Sequence, residues 1–132
     1  MQAEIPVELF QVEIKEGSFH HRIVLKEVDG DRKIPIAIGP FEAFEIERKL
    51  TGSTVPRPMT HDLMGAILES LGVKLGQIVI TDLRNHTYHA CLHLVLPDGG
   101  IQVVDARPSD AIALAIQKKA PIFALEHVLD AH

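Results

Sequence analysis

The first forty residues alternate between apolar and polar side chains with a period of two, and this pattern constrains the fold more than any other feature. Residues 4–16 and 21–28 alternate in this way, and a third such run extends from Ile34 to Ile38. Asp29-Gly30 separates the second run from the third and is typical of a hairpin turn. Three short strands joined by turns predict an antiparallel sheet with one buried face.

The rest of the chain mixes helical and strand patterns. A helix is predicted from about Phe41 to Leu50 after Pro40, and a second helix begins with Thr60 as its N-cap. Further strands are expected at 73–82, 87–96, 101–105 and 121–125, and a helix over 111–119 opens with Pro108-Ser109-Asp110. The order βββ-αα-βββ-α-β predicts one α+β domain over 1–132, with three helices and a largely antiparallel mixed sheet.

Composition limits the partners of this chain. The net charge is −5, so the basic footprint of a protein that binds duplex nucleic acid tightly is lacking. Aromatic residues are only 5% of the sequence, which makes stacking surfaces for single-stranded bases scarce. Hydrophobic residues reach 46% at a mean hydropathy of +0.14, and we expect self-association to cover the surplus apolar surface.

The sequence also indicates a cellular compartment. The N-terminal segment MQAEIPVELF carries Glu4 and Glu8 where a signal peptide has a basic start and an apolar run. Its single cysteine, Cys91, fits a reducing environment, and no apolar stretch approaches the roughly 20 residues of a membrane span. We therefore expect a cytoplasmic protein without membrane contact.

The segment RPMTHD is the first candidate site. A proline-flanked loop presents Arg57 just before a helix N-terminus, where free amides and the helix dipole favour an anion. Arg57 could clamp a phosphate there, His61 could carry a proton, and Asp62 could orient it or hold a metal. Alternatively, Thr60 caps the helix, Asp62 complements the dipole and His61 is a solvated residue of the first turn.

The segment DARPSD is the second candidate site. Asp105 ends a strand, Arg107 is expected on the same side two residues later, and the following helix start adds Ser109 and Asp110. Strand ends followed by helix N-termini often bind ligands, although that rule comes from parallel sheets. The alternative is an ion pair of Arg107 with Asp105 or Asp110, together with a capping Ser109.

Two more carboxylates are weaker candidates. Asp82 ends the strand ITDLR, so Asp82 and Asp105 could share a divalent ion if the two strand ends are adjacent. A strand-terminating turn over residues 82–85 is the favoured explanation of Asp82. Glu42 lies in the first turn of the helix after Gly39-Pro40, where dipole complementarity alone accounts for an acid.

Four sequence blocks, IGPFEA, RPMTHDL, ITDLR and DARPSDAIALA, resemble the bifunctional nuclease domain family in order and spacing. The resemblance extends from about Val7 to Leu129 and implies an α+β domain that assembles into homo-oligomers. It also implies cleavage of RNA and DNA, the activity for which the plant members are named. The motif positions carried over are Gly39, Pro40, Glu42, Arg57, Thr60, His61, Asp62, Asp82, Asp105, Arg107, Ser109 and Asp110.

The leading hypothesis is therefore a bacterial nuclease that hydrolyses phosphodiester bonds of RNA or DNA with Mg²⁺ or Mn²⁺. The competing hypothesis is a non-catalytic homo-oligomeric module that binds a small anionic ligand or a protein partner. In the nuclease hypothesis the catalytic residues are His61, Asp62, Asp105 and Asp110; the substrate-binding residues are Arg57, Thr60, Arg107 and Ser109; and the metal ligands are Asp62, Asp82, Asp105 and, more weakly, Glu42.

Overall fold

The computed structural model describes residues 2–131 and confirms the predicted α+β class. The elements alternate as the sequence patterns indicate, and their bounds differ from the expected ones by a few residues. The helices begin at proline or just after an extended residue, as the sequence predicts. The elements are β1 (Glu4–Glu13), β2 (His21–Glu27), β3 (Lys33–Ile38), α1 (Pro40–Thr51), α2 (Thr60–Ser70), β4 (Lys74–Arg84), β5 (Thr87–Val95), β6 (Ile101–Ala106), α3 (Pro108–Lys118), β7 (Ile122–Leu125) and α4 (Glu126–Leu129).

All seven strands of the described residues form one sheet in the order β3-β2-β1-β7-β4-β5-β6. Neighbouring strands are antiparallel except for β4 and β7, which run parallel. The predicted mixed, largely antiparallel sheet is thus confirmed. The one-turn helix α4 was not predicted, because four residues are too few to show a helical period.

Helix α3 lies at the centre of the core. Its residues from Ala111 to Ala115 are nearly inaccessible to solvent and pack against Ile78 and Ile80 of β4. This agrees with the run AIALAI, which is apolar on almost every side. Helix α1 packs beside α3 and contributes Ala43 and Ile46 to the same core.

Helix α2 packs differently from the sequence expectation. The sequence pattern predicts a buried face made of Leu63, Met64, Ile67, Leu68 and Leu71. Met64 and Leu68 are partly buried, but Leu63, Ile67 and Leu71 are about half exposed. The helix instead buries His61 and Gly65 against the neighbouring helices. A Cβ on Gly65 would overlap the side-chain amide of Gln117 and crowd Lys118 in α3, so a larger residue at this position would require these side chains to move.

No helix within residues 2–131 is both long and apolar enough to cross a lipid bilayer.

Candidate functional site

The N-terminal turns of three helices converge on one cavity of about 310 Å³, which we call the apolar cavity. Because the positive end of each helix dipole points to this place, the field there favours negative charge. Each helix also carries one acid in its first turn: Glu42 in α1, Asp62 in α2 and Asp110 in α3. The cavity is lined by Phe41, Glu42, Phe44, Glu45, Met59, Thr60, His61, Arg107 and Asp110.

His61 lies on the floor of this cavity between two carboxylates. Its Nε2 is 2.9 Å from Asp110 Oδ1, and its Nδ1 is 3.3 Å from Glu45 Oε1. The residue is only 6% exposed, so it is not the solvated first-turn residue of the alternative interpretation. The contact between His61 and Asp110 brings the RPMTHD and DARPSD segments together in one site.

Arginine side chains hold both of these carboxylates. The Arg48 guanidinium donates to Glu45 at 3.0 and 3.1 Å and thereby lowers the pKa of that buried carboxyl. Burial alone would raise the pKa of Asp110, but hydrogen bonds from Arg107 and His61 outweigh it and lower the pKa below its ordinary value. Both carboxylates are therefore ionised at neutral pH.

Arg107 is the most exposed charged group of the cavity and joins two of the helix starts. It donates to Asp110 Oδ2 at 2.9 Å and to Glu42 Oε1 at 3.1 Å. The alternative interpretation of this segment combined an ion pair with a capping Ser109, and the ion pair is confirmed because Arg107 binds Asp110. Ser109 is not the cap, however: Arg107 occupies the N-cap position and Ser109 lies in the first turn.

Asp62 joins α2 to α1. It accepts hydrogen bonds from Lys49, from Arg48 at 2.9 Å and from the backbone N–H of Met59 at 2.9 Å. The Lys49 ammonium, followed by the Met59 amide and the Arg48 charge, lowers the pKa of Asp62 from 3.8 to about 2. Asp62 does not line the cavity, and its oxygens are already occupied by these donors.

Of the two remaining residues of the RPMTHD segment, Thr60 lines the apolar cavity and Arg57 does not. Thr60 lines the cavity as the first helical residue, and Met59 rather than Thr60 is the N-cap of α2. Arg57, two residues before Met59, is exposed and has no ion-pair partner within the described residues. The prediction that Arg57 clamps a phosphate stays a prediction.

The structure does not bring Asp105 into this site. Asp105 is exposed on β6 and pairs in register with Cys91, whose neighbours Ala90 and Leu92 both point into the helix-covered core. Because side chains alternate along a strand, Asp105 lies on the opposite face of the sheet from His61 and Asp110. The expectation that it shares a side with Arg107 is wrong, since the strand ends at Ala106.

Asp82 is likewise separate from the cavity. It forms ion pairs with Arg84 at 2.8 Å and with His127 at 3.1 Å, and β5 lies between its strand and that of Asp105. The condition for a shared ion, adjacent strand ends, is therefore not met. Among residues 2–131, no three histidine, cysteine or carboxylate side chains form a preformed metal site.

A second cavity, of about 410 Å³, lies on the other side of Arg107 and Glu42, and we call it the polar cavity. Ser109, which is 7% exposed, lines it together with His86 and Tyr88 from the β4–β5 hairpin. Arg107 and Glu42 thus form a wall shared by both cavities.

Comparison with known proteins identifies the family. Residues 23–132 match the family model of the bifunctional nuclease domain. The chain belongs to the bifunctional nuclease domain family. It is 41% identical over 107 residues to an uncharacterized protein of Mycobacterium tuberculosis strain H37Rv, covering 81% of this chain and 63% of the relative.

Plant members of the bifunctional nuclease family are more distant. "Bifunctional nuclease 1" of Oryza sativa subsp. japonica is 29% identical over 112 residues, covering 83% of this chain and 34% of that protein. "Bifunctional nuclease 2" of Arabidopsis thaliana is 28% identical over 106 residues, covering 78% of this chain and 32% of the relative. The chain spans less than two thirds of the length of these relatives.

Sequence reasoning missed several residues of this bifunctional nuclease domain site. Glu45 and Arg48 form a buried ion pair spaced i, i+3 on α1, and neither residue is among the candidates named from the sequence. Phe41 and Phe44, which are 84% and 56% exposed at the cavity, were not singled out. The signal available was their spacing, since residues three apart share a helix face.

Proposed function

We propose that this chain is a nuclease that hydrolyses phosphodiester bonds of RNA or DNA at the apolar cavity. The observation that carries the proposal is the convergence of three helix N-termini on an Arg107–Asp110–His61 cluster. A phosphate is the anion such a cluster suits, because helix N-termini and a planar guanidinium both recognise it. The names of the plant relatives agree with this choice of substrate.

Arg107 couples substrate binding to the carboxylates. In the free protein its guanidinium is shared between Asp110 and Glu42. A bound phosphodiester competes for the same donors, and when Arg107 turns towards it, both carboxylates lose their nearest positive charge. Asp110 then becomes a stronger proton acceptor, because the hydrogen bond that lowers its pKa is gone.

His61 acts as a positioning residue for Asp110. With its two ring nitrogens facing Asp110 and Glu45, it fixes the orientation of the Asp110 carboxylate and can exchange a proton with it. Arg57, unpaired among the described residues, is suited to bind a neighbouring phosphate of the same strand. Phe41 and Phe44 offer phenyl rings on which an unstacked base can lie.

Glu42 and Asp110 fit a divalent ion that enters with the substrate. Both carboxylates converge on one cation, Arg107, and Mg²⁺ is commonly held by one or two carboxylates together with substrate phosphate oxygens. Mg²⁺ or Mn²⁺ held there would neutralise charge on the phosphate and activate a water molecule. Asp62, Asp82 and Asp105 are not part of this arrangement.

The test is cleavage of labelled RNA, single-stranded DNA and duplex DNA by the purified chain, with Mg²⁺, Mn²⁺ or EDTA. Asp110→Asn is expected to lower turnover at least about a hundredfold. Asp31→Asn, at an exposed turn, is the matched control. Cleavage that is equal in both variants, or that survives Asp110→Asn and EDTA together, would contradict the proposal.

A non-catalytic module that docks a protein or a second copy of itself is the second candidate. The observation in its favour is the half-exposed stripe of Leu63, Ile67 and Leu71 on α2. An apolar surface of this kind is typical of an interface. A wild-type chain that assembles but cleaves none of the three substrates would favour this candidate.

A further inference from the structure

The polar cavity contains a polar group for which the proposed chemistry has no use. Ser109 is more than nine-tenths buried and lines this cavity, and its hydroxyl forms no hydrogen bond to another side chain or backbone group within residues 2–131. The hydroxyl oxygen is not fully enclosed, since Gln117 Oε1 is the one fully buried unpaired side-chain atom of those residues, so it can be satisfied by a ligand or water in the cavity. It lies in the first turn of α3, an eleven-residue helix whose dipole favours an anion.

A second observation comes from the β4–β5 hairpin. Its two turn residues, Asn85 and His86, have φ angles of 50° and 63°, so the turn is of the tight kind that prefers Asn-Gly. Asparagine at the first position follows that preference, but histidine at the second does not. A left-handed conformation costs a residue with a Cβ about 1 kcal/mol or more. The second turn position therefore carries His86, although a glycine there would make the folded protein more stable.

The imidazole of His86 lines the polar cavity together with Ser109 and Arg107. A hydroxyl, an imidazole, a guanidinium and a helix N-terminus are together the groups that bind phosphate in proteins. The acid in the lining, Glu42, already accepts a hydrogen bond from Arg107, which offsets its charge.

We propose that the polar cavity is a second phosphate subsite, in which His86 and Ser109 bind a phosphate adjacent to the one held at Arg107. The proposal rests on the proposed function, because it assigns both phosphates to one polynucleotide strand. Arg107 lies in the wall between the cavities, so consecutive phosphates can reach both sides of it.

Binding without catalysis tests the subsite. Inorganic phosphate and a nucleoside 5′-monophosphate are titrated into the full chain, with calorimetry and the His86 ring signals in NMR spectra as readouts. His86→Gly is expected to weaken binding about tenfold, as expected for the loss of one charge-assisted hydrogen bond. Its urea midpoint should be at least as high as that of the wild type, because glycine relieves the left-handed backbone.

Two controls separate the side chain from the turn. Asn85→Gly changes the neighbouring turn residue without touching the cavity lining, and its phosphate affinity should stay within about twofold of wild type. Ser109→Ala should weaken binding about three- to tenfold, the value of one hydrogen bond to an anion. Phosphate binding that is absent in the wild type, or equal in wild type and His86→Gly, would overturn the subsite.

Cleavage of RNA and DNA is measured in parallel on the same proteins. If the wild type binds phosphate through His86 but cleaves nothing, the nuclease proposal fails and the subsite stands. If the wild type cleaves and His86→Gly has unchanged KM and unchanged phosphate affinity, the subsite fails and the nuclease proposal stands.

Discussion

Replacing Asp62 with asparagine separates a structural role of this residue from a catalytic one. Its pKa is about 2 in the folded protein against an ordinary 3.8, chiefly because Lys49 binds the ionised form. A carboxyl whose pKa is lowered by folding stabilises the protein above pH 3.8, and this stabilisation disappears as the pH falls through 2. At roughly 1.4 kcal/mol per pKa unit, it amounts to about 2 kcal/mol at pH 7 and about 1 kcal/mol at pH 3.

Urea denaturation of the wild type and Asp62→Asn, followed from pH 7 to pH 3, measures this quantity. Asparagine keeps the shape of the side chain and can still accept the Met59 amide, so the difference reports on the charge. The free energy of unfolding should differ by about 2 kcal/mol at pH 7 and by about 1 kcal/mol at pH 3. Asp31→Asn, an exposed turn carboxylate, should show no such difference.

A stability difference that is the same at pH 7 and pH 3 would refute the ion-pair explanation. Turnover supplies the second half of the experiment. Because Asp62 does not line the apolar cavity, Asp62→Asn should keep its turnover per folded molecule within about threefold of wild type. A hundredfold loss of turnover in a stably folded Asp62→Asn variant would instead support the catalytic role that the sequence analysis proposes for Asp62.

Three further predictions follow from the same contacts. Asp105→Asn should leave nuclease turnover unchanged within about twofold, because this side chain lies on the far face of the sheet; a hundredfold loss in the cleavage assay would contradict that placement. The wild type should scatter light as an assembly well above 14.6 kDa, and Ile67→Glu should dissociate it whereas Ala66→Glu should not; a monomeric wild type would exclude self-association. Glu45→Gln should lower the free energy of unfolding by about 2 kcal/mol in urea, because the buried Arg48 loses one of its two carboxylate partners and keeps only Asp62; a loss below about 0.5 kcal/mol would refute this.

Local chemistry made the elements predictable. Three kinds of signal depend only on neighbouring residues. They are the turn pair Asp29-Gly30, the prolines that begin the helices Pro40–Thr51 and Pro108–Lys118, and the runs with a period of two. For this reason the order of strands and helices could be read before any long-range contact was known. The pairing of β7 with both β1 and β4 could not, because it joins distant parts of the chain.

The site was only partly predictable, for a related reason. The segments around His61 and Asp110 were identified because their residue types stand at helix starts, where an anion is favoured. The prediction that Asp105 lies on the same side as Arg107 was wrong because the strand ends at Ala106, so the alternation of side chains does not extend to Arg107. The buried partner Glu45 was missed because an acid on a helix is usually solvated, and only the tertiary packing of α1 beside α2 buries it.

The exposed stripe of α2 shows a limit that applies to helices in general. An amphipathic period tells which side chains avoid water, and not whether the same chain or another one covers them. Here α2 turns its His61 and Gly65 face towards α3, and Leu63, Ile67 and Leu71 remain about half exposed. The buried face of the helix therefore lies at the site, and its apolar residues are left at the surface of this chain.

If the proposed nuclease function is right, the electrostatics of the site account for how an acidic chain binds a polyanion. Three helix N-termini attract negative charge, and in the free protein the first-turn acids Glu42, Asp62 and Asp110 supply it. Arg107 is the exposed member of this arrangement, and its guanidinium is held by two carboxylates that a phosphate can replace. In the proposed function, a bound phosphate takes the place of the Glu42 and Asp110 carboxylates at Arg107, so binding does not require a net positive surface. Consequently, the affinity for a polynucleotide should depend only weakly on salt, with a slope close to the one or two phosphates bound at Arg107 and His86.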